Sequence, residues 1–386
     1  MNKIRQKILP ILLFTLLCHC GSDSDSGFFT QLTAIAVDSA NDRLFLSEPE
    51  KKLFAFTAST LTTIGDQPII TDDRNASLQT LLPAVVSKMA VFGMGSTSRL
   101  FFMGTFADDT GNLVTNRIRV IDFDGTSFSE SSFSPIILSD GDDTTTETEN
   151  SFANLLIDQD NGSLFITDAS GALLYVLSAT DGASVTAPLP IAGTPQGMGL
   201  DEGRLYVCNS STVDAEQVVT VVNVSDFTTT TIDLGIPCRL ISVQSNSNGT
   251  ILVAKHSSTQ QVLLHSVDTS TFASSAEISS ATSGIANGSL SANAGISSAV
   301  ESLVSGVKDD VISSYTAEQD GNIQKITYTS DLSSFSVETL TSSATNLSKG
   351  GNLTDAAGEI ISIFFSASDG SLLSLEANTS SVEVMD

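Results

Sequence analysis

The chain has 386 residues, 41% of them hydrophobic and 16% charged, with 20 Phe and 4 Tyr and no Trp. That apolar content excludes intrinsic disorder and supplies an extended core, since chains of this size bury roughly three quarters of their surface. The 44 acidic against 17 basic residues, net −27, exclude a protein that tracks a nucleic-acid backbone or holds an anionic membrane by a basic patch, because both need Lys and Arg in number.

Residues 1–19 read as an export signal, opened by Lys3, Arg5 and Lys7 and continued by the apolar run Ile8 to Leu17. That run is shorter than the roughly 20 apolar residues of a bilayer span. Leu17-Cys18-His19-Cys20 resembles the lipobox of bacterial lipoproteins, with Leu17 three residues before Cys20 and with His19 where that pattern has a small residue. The resemblance implies cleavage before Cys20, acylation of Cys20 with palmitate-type chains, and an outer-membrane lipoprotein facing the periplasm or the cell surface. Cys18 is the rival acceptor, and an ordinary secretory signal cut nearby is the alternative. Residues 20–30, polar from Gly21 to Gly27, form the lipidated Cys and its tether. Loss of the signal removes three basic and no acidic residues, leaving 14 against 44.

From residue 31 onward the chain repeats one unit: an apolar strand, a turn rich in Asp, Asn and Gly, a strand with an aliphatic–aromatic anchor, a third strand, and a fourth rich in Thr and Ser. The first copy runs Ile35-Ala36-Val37-Asp38, Arg43-Leu44-Phe45-Leu46, Lys52-Leu53-Phe54-Ala55-Phe56, Leu61-Thr62-Thr63-Ile64. The second-strand anchor recurs at Leu44, Leu100, Leu164, Leu205, Ile251, Val311 and Ile360, a spacing that varies around that of known propeller blades. A lone four-stranded sheet cannot bury both faces, so the units must stack and the ring must close. The expected fold is all-β, a seven-bladed β-propeller of four-stranded antiparallel blades filling residues 31–386 as one domain.

Leu205-Tyr206-Val207-Cys208-Asn209 resembles the recurrent strand of YVTN-type bacterial propellers, and Asp158 to Asp168 (DQDNGSLFITD) is similar to NHL-type propellers. That resemblance supports the fold. It leaves function open, because propellers host both enzymes and binding platforms.

The long insertions, Asp66 to Lys88, Ser139 to Ser151 and Ser279 to Ser298, fall with the second-to-third-strand link Thr105 to Asn116 on one face of the ring, where a ligand or protein partner is expected. Asp140, Asp142 and Asp143, with Glu147 and Glu149 around Gly141, form an oxygen-rich stretch able to wrap Ca²⁺; a solvated acidic loop is the plainer reading. Val300, Leu303, Val304 and Val307 read as a disturbed first strand, with a short helix as the alternative.

Catalytic signatures are sparse. His256 and His265 are the only His after the signal, and no haem, zinc-protease, nucleophile-elbow or phosphate-loop motif occurs. Cys208 and Cys238, at a second-strand end and the following first-strand start, are expected to form a disulfide outside the cytoplasm. The functional expectation is an envelope-anchored, monomeric binding or scaffold module acting through its loop-rich face, with no nucleic-acid partner and with the lipid as its membrane contact. Two alternatives stand beside it: a metal-dependent lactonase-like hydrolase with carboxylates at the channel, and an envelope assembly factor that binds other proteins.

Overall fold

A computed structural model describes residues 31–70, 76–79, 82–107, 113–114, 117–138, 152–211, 213, 217–234, 236–258, 262–267, 288–289, 299–332, 335–344, 346–367, 370–376 and 382–385. It is a β-propeller of antiparallel sheets. The first sheet is β1 (Ala34–Asp38), β2 (Arg43–Glu48), β3 (Lys52–Thr57) and β4 (Thr62–Thr63), in that order from the channel outward. After helix α1 (Ala76–Gln79) comes a sheet of β5 (Val85–Met94), β6 (Thr97–Ala107), β7 (Leu113–Val114), β8 (Arg117–Phe123), β9 (Phe128–Glu130) and β10 (Ile136–Ile137). Four-strand order then returns. It holds for β11 (Phe152–Asp158), β12 (Ser163–Asp168), β13 (Leu173–Ser178) and β14 (Leu189–Pro190), and for β15 (Pro195–Asp201), β16 (Arg204–Asn209), β17 (Val218–Asn223) and β18 (Thr229–Asp233). The next sheet is β19 (Cys238–Asn246), β20 (Gly249–His256), β21 (Val262–Val267) and β22 (Gly288–Ser289), followed by β23 (Val300–Lys308), β24 (Val311–Glu318), β25 (Asn322–Tyr328) and β26 (Phe335–Thr341). The last is β27 (Leu347–Thr354), β28 (Ile360–Ala367), β29 (Leu372–Glu376) and β30 (Glu383–Met385).

The expectation of seven four-stranded blades is therefore corrected: six blades have that form, and the sheet from β5 to β10 is six-stranded. Two local causes account for it. The link after β6 doubles back, so that Leu113 and Val114 pair with Ala107 and Phe106. The outer edge is broken into β9 and β10, both paired with β8, on either side of a segment ending in Pro135, which has no N–H to give a ladder.

Each sheet lies between two others, so its second strand is largely buried on both faces, and in several sheets it reads as a continuous apolar run. In β12, Leu164 and Ile166 pack with Phe101 and Met103 of the preceding sheet. Phe165 points the other way, to Leu205 and Val207 of the following one. Outer strands face water and are polar; Thr62 and Thr63 of β4 are exposed. The ring closes through Ile35, Leu44 and Leu46 packed with Leu353, Phe364 and Leu372, and through Thr354 N donating to Ser39 Oγ at 3.1 Å.

The face of the β1–β2-type turns is stitched by arginines. Arg43 donates to Ser98 Oγ at 2.8 Å and to the Ser96 and Phe123 carbonyls of the next sheet, and its guanidinium lies 5.0 Å from the Phe123 ring. Arg99 grips Asp122 at 2.6 and 2.9 Å and reaches the Ala179 and Thr180 carbonyls one sheet on. This end is filled by structural hydrogen bonds. The opposite end is open.

Candidate channel-mouth site

The innermost strands β1, β5, β11, β15, β19, β23 and β27 begin around the open end of the channel, on the face where the second-to-third-strand links emerge. There they enclose a cavity of about 370 Å³. Its walls form a repeated device. Pairing slips by one residue between Val86 and Lys88, Phe152 and Asn154, Pro195 and Met198, Cys238 and Leu240, Val300 and Ser302, and Leu347 and Gly350. These are β-bulges at one level, and a bulge bends its strand and re-aims the extra residue. The residues so placed include Ser87, Ala153, Gln196, Arg239, Glu301 and Lys349, and every one lines the cavity. Gly197 makes room for the arrangement: a Cβ there would lie 2.7 Å from the Arg239 carbonyl oxygen.

The electrostatics of the mouth oppose those of the chain. Lys88, Arg239 and Lys349 line it, with Glu301 as the carboxylate among the lining residues. Arg239 Nη2 lies 3.6 Å from Glu301 Oε2, and Gln319 Nε2 donates to Glu301 Oε1 at 3.1 Å. Lys88 and Lys349 have neither an ion-pair nor a hydrogen-bond partner for their ammonium groups among the described residues. Burial, then the Lys349 and Arg239 charges, bring the Lys88 amine down to about 8. Lys349 is lowered by burial and by Arg239, with Glu301 acting in the opposite sense. Behind Arg239, Lys255 donates to the His256 carbonyl at 3.3 Å; burial and Arg239 lower its amine too.

The sequence-expected site residues fall in three groups. Cys20 and its signal, and Asp140, Asp142 and Asp143 with the rest of the acidic insertion, lie outside the described residues, as does most of Ser279 to Ser298. Cys208 stands one residue before the end of β16 and Cys238 opens β19, both buried in one cluster as free thiols. Cys238 Sγ donates to the Leu240 carbonyl at 3.2 Å and shares a hydrogen bond with the Cys208 thiol. His256 ends β20; its Nδ1 accepts from Ser258 N at 3.1 Å, and burial followed by Lys255 lowers its basicity, so it caps a turn. His265 lies in β21 opposite Leu252. No group of three His, Cys, Asp or Glu side chains among the described residues is placed to hold a metal ion.

Sequence reading missed the basic side chains of the mouth. In sequence Lys88 reads as the end of an insertion, whereas β5 begins at Val85 and carries it into the channel wall. One signal was present. Lys88, Arg239 and Lys349 stand 11 or 12 residues before the anchors Leu100, Ile251 and Ile360, so the repeat itself brings them to one level.

No family model matches the chain, and no curated protein matches it. Among solved structures, it is similar to the crystal structure of the computationally designed Ika8 protein, at 8% identity and a TM-score of 0.50 over 91% of this chain and 97% of that one. At that identity the likeness concerns the fold alone.

Proposed function

We propose that the chain is an exported, lipid-anchored binding module whose ligand enters the channel mouth on the loop-rich face. The observation that carries this is the ring of bulges around the cavity. Bulges cluster next to functional sites, and a cavity of about 370 Å³ belongs with small-molecule pockets, which run from roughly 300 to 1,000 Å³. A small molecule fits this better than a protein partner. The large apolar side chains exposed among the described residues, Val85, Ile137, Val185 and Val213, stand on four separate segments rather than in one docking patch. The hydrolase alternative needs several carboxylates at the channel, and the described lining of this mouth presents Lys88, Arg239 and Lys349 with one carboxylate, Glu301, which is paired with Arg239.

The test is a thermal-shift screen of the mature chain against metabolite-sized compounds of either charge and of none, repeated on Ala153→Phe, which places a ring from a bulge into the cavity. A stabilising compound whose effect disappears in Ala153→Phe supports the reading. If no compound stabilises, or every effect survives the filled cavity, the mouth is not a ligand site.

A further inference from the structure

Resting on the reading of the mouth as a ligand site, we infer that its ligand is a small organic anion whose carboxylate or phosphate head is held by Lys88 and Lys349. The charge distribution carries this furthest. In a chain with 44 acidic residues, basic side chains have carboxylates available for pairing almost everywhere. Here Lys88, Arg239 and Lys349, on the first strands of three sheets spaced around the ring, line one cavity, while Glu301 is committed to Arg239 and Gln319. Gathering like charges in a partly dehydrated channel costs free energy, and a bound anion offsets it by Coulomb attraction at low effective dielectric.

The same geometry limits the rest of the ligand. With Arg239 engaged by Glu301, the head meets two lysine point charges rather than a free guanidinium fork. Met89, Leu155, Met198 and Leu303 supply apolar wall, and no aromatic ring lines the cavity among the described residues. A nucleobase or sugar ring would find no stacking partner among those side chains, whereas a short aliphatic or hydroxylated body fits. Asn154, Gln196 and Ser348 are among the lining residues that add neutral hydrogen-bonding groups.

The experiment is calorimetry and thermal shift on the mature protein with succinate, citrate and glycerol 3-phosphate, against the neutral isosteres succinamide and glycerol and the dication putrescine. At least one organic anion is expected to raise the melting temperature with the logarithm of its concentration. Its affinity should fall about 10- to 100-fold in Lys88→Gln/Lys349→Gln, as loss of charge-assisted hydrogen bonds implies. Lys308→Gln, at the far end of β23, should bind like the wild type. A melting temperature of the ligand-free double variant no lower than that of the wild type shows that its fold is intact. Binding of the neutral isosteres as tight as that of the anions, or anion affinity unchanged in the double variant, overturns the inference. In those cases, binding that is still abolished by Ala153→Phe leaves the ligand site standing, so the two claims fail separately. Absence of binding by every one of these compounds overturns the inference, and the wider thermal-shift screen then decides whether the mouth is a ligand site.

Discussion

Lys88 shows how a single side chain reports the chemistry of the mouth. Its amine titrates near 8 in the fold against 10.5 in the unfolded chain, so between those values the unfolded state binds more protons. The contribution of this site to stability therefore rises with pH across that window and is fully unfavourable below it. Lys88→Gln removes the charge, so the variant should be more stable than the wild type at pH 7 by on the order of 2 kcal/mol. The difference should vanish near pH 10.5; urea unfolding of both proteins at the two pH values checks this, and a constant difference would contradict it. Anion affinity should run the other way, weakening as pH rises through about 8. A second residue-scale expectation concerns Cys208 and Cys238. Burial and the shared hydrogen bond push the Cys238 thiol up, which makes it a poor nucleophile, while both thiols lie in one cluster. In the oxidised mature protein they are expected to be bridged, closing a loop of about 30 residues and contributing on the order of 3–4 kcal/mol by chain entropy. Mass spectrometry of the non-reduced, alkylated protein decides it: alkylation of both thiols after denaturation without reductant would refute the bridge.

Elements differ in how openly the sequence announces them. Second strands such as Leu164-Phe165-Ile166 are legible because a strand squeezed between two sheets must be apolar on both faces. The sheet from β5 to β10 is not legible, since the doubling-back of Leu113-Val114 onto β6 depends on where a polar link happens to pair. Bulges are invisible for a related reason: an extra residue leaves composition unchanged and shows only in the cross-strand register. The segment around Val300 to Val307, with its helix-compatible spacing, is strand β23 because its ladder to β24 and the flanking sheets bury Val300, Val304 and Gly306. Gly306 there meets Ile360 of β28 so closely that a Cβ would come within 1.7 Å of Ile360 Cδ1 and 2.0 Å of Cγ1. Gly306→Ala should therefore destabilise by about 1–3 kcal/mol through overpacking, measured by denaturant unfolding. Ile360→Val in the same background should recover part of the loss; no loss in Gly306→Ala would mean that β23 and β28 pack less tightly than described.

At the scale of the whole molecule, two ends of one ring carry opposite duties. The turn end is tied together by Arg43 and Arg99, which bridge the first sheet to the second and the second to the third. The mouth end is left polar, basic and open within a chain whose net charge is −27. The repeat and the burial pattern of this ring could be read from the sequence, whereas the mouth could not, because its residues come from strands far apart in the chain and become neighbours only on closure. The proposed anchor is a separate matter of the first twenty residues. Cys20→Ser should release the protein from the membrane fraction while Cys18→Ser leaves it bound, and membrane retention of Cys20→Ser would sink the lipid assignment. The central claim, that the bulge-lined mouth is the binding site, is tested most directly by a crystal structure of the mature chain with the most strongly stabilising small anion. The account predicts ligand density inside the cavity with its acidic head on Lys88 and Lys349. Density for that ligand on the outer rim, with the cavity holding only water, would contradict it.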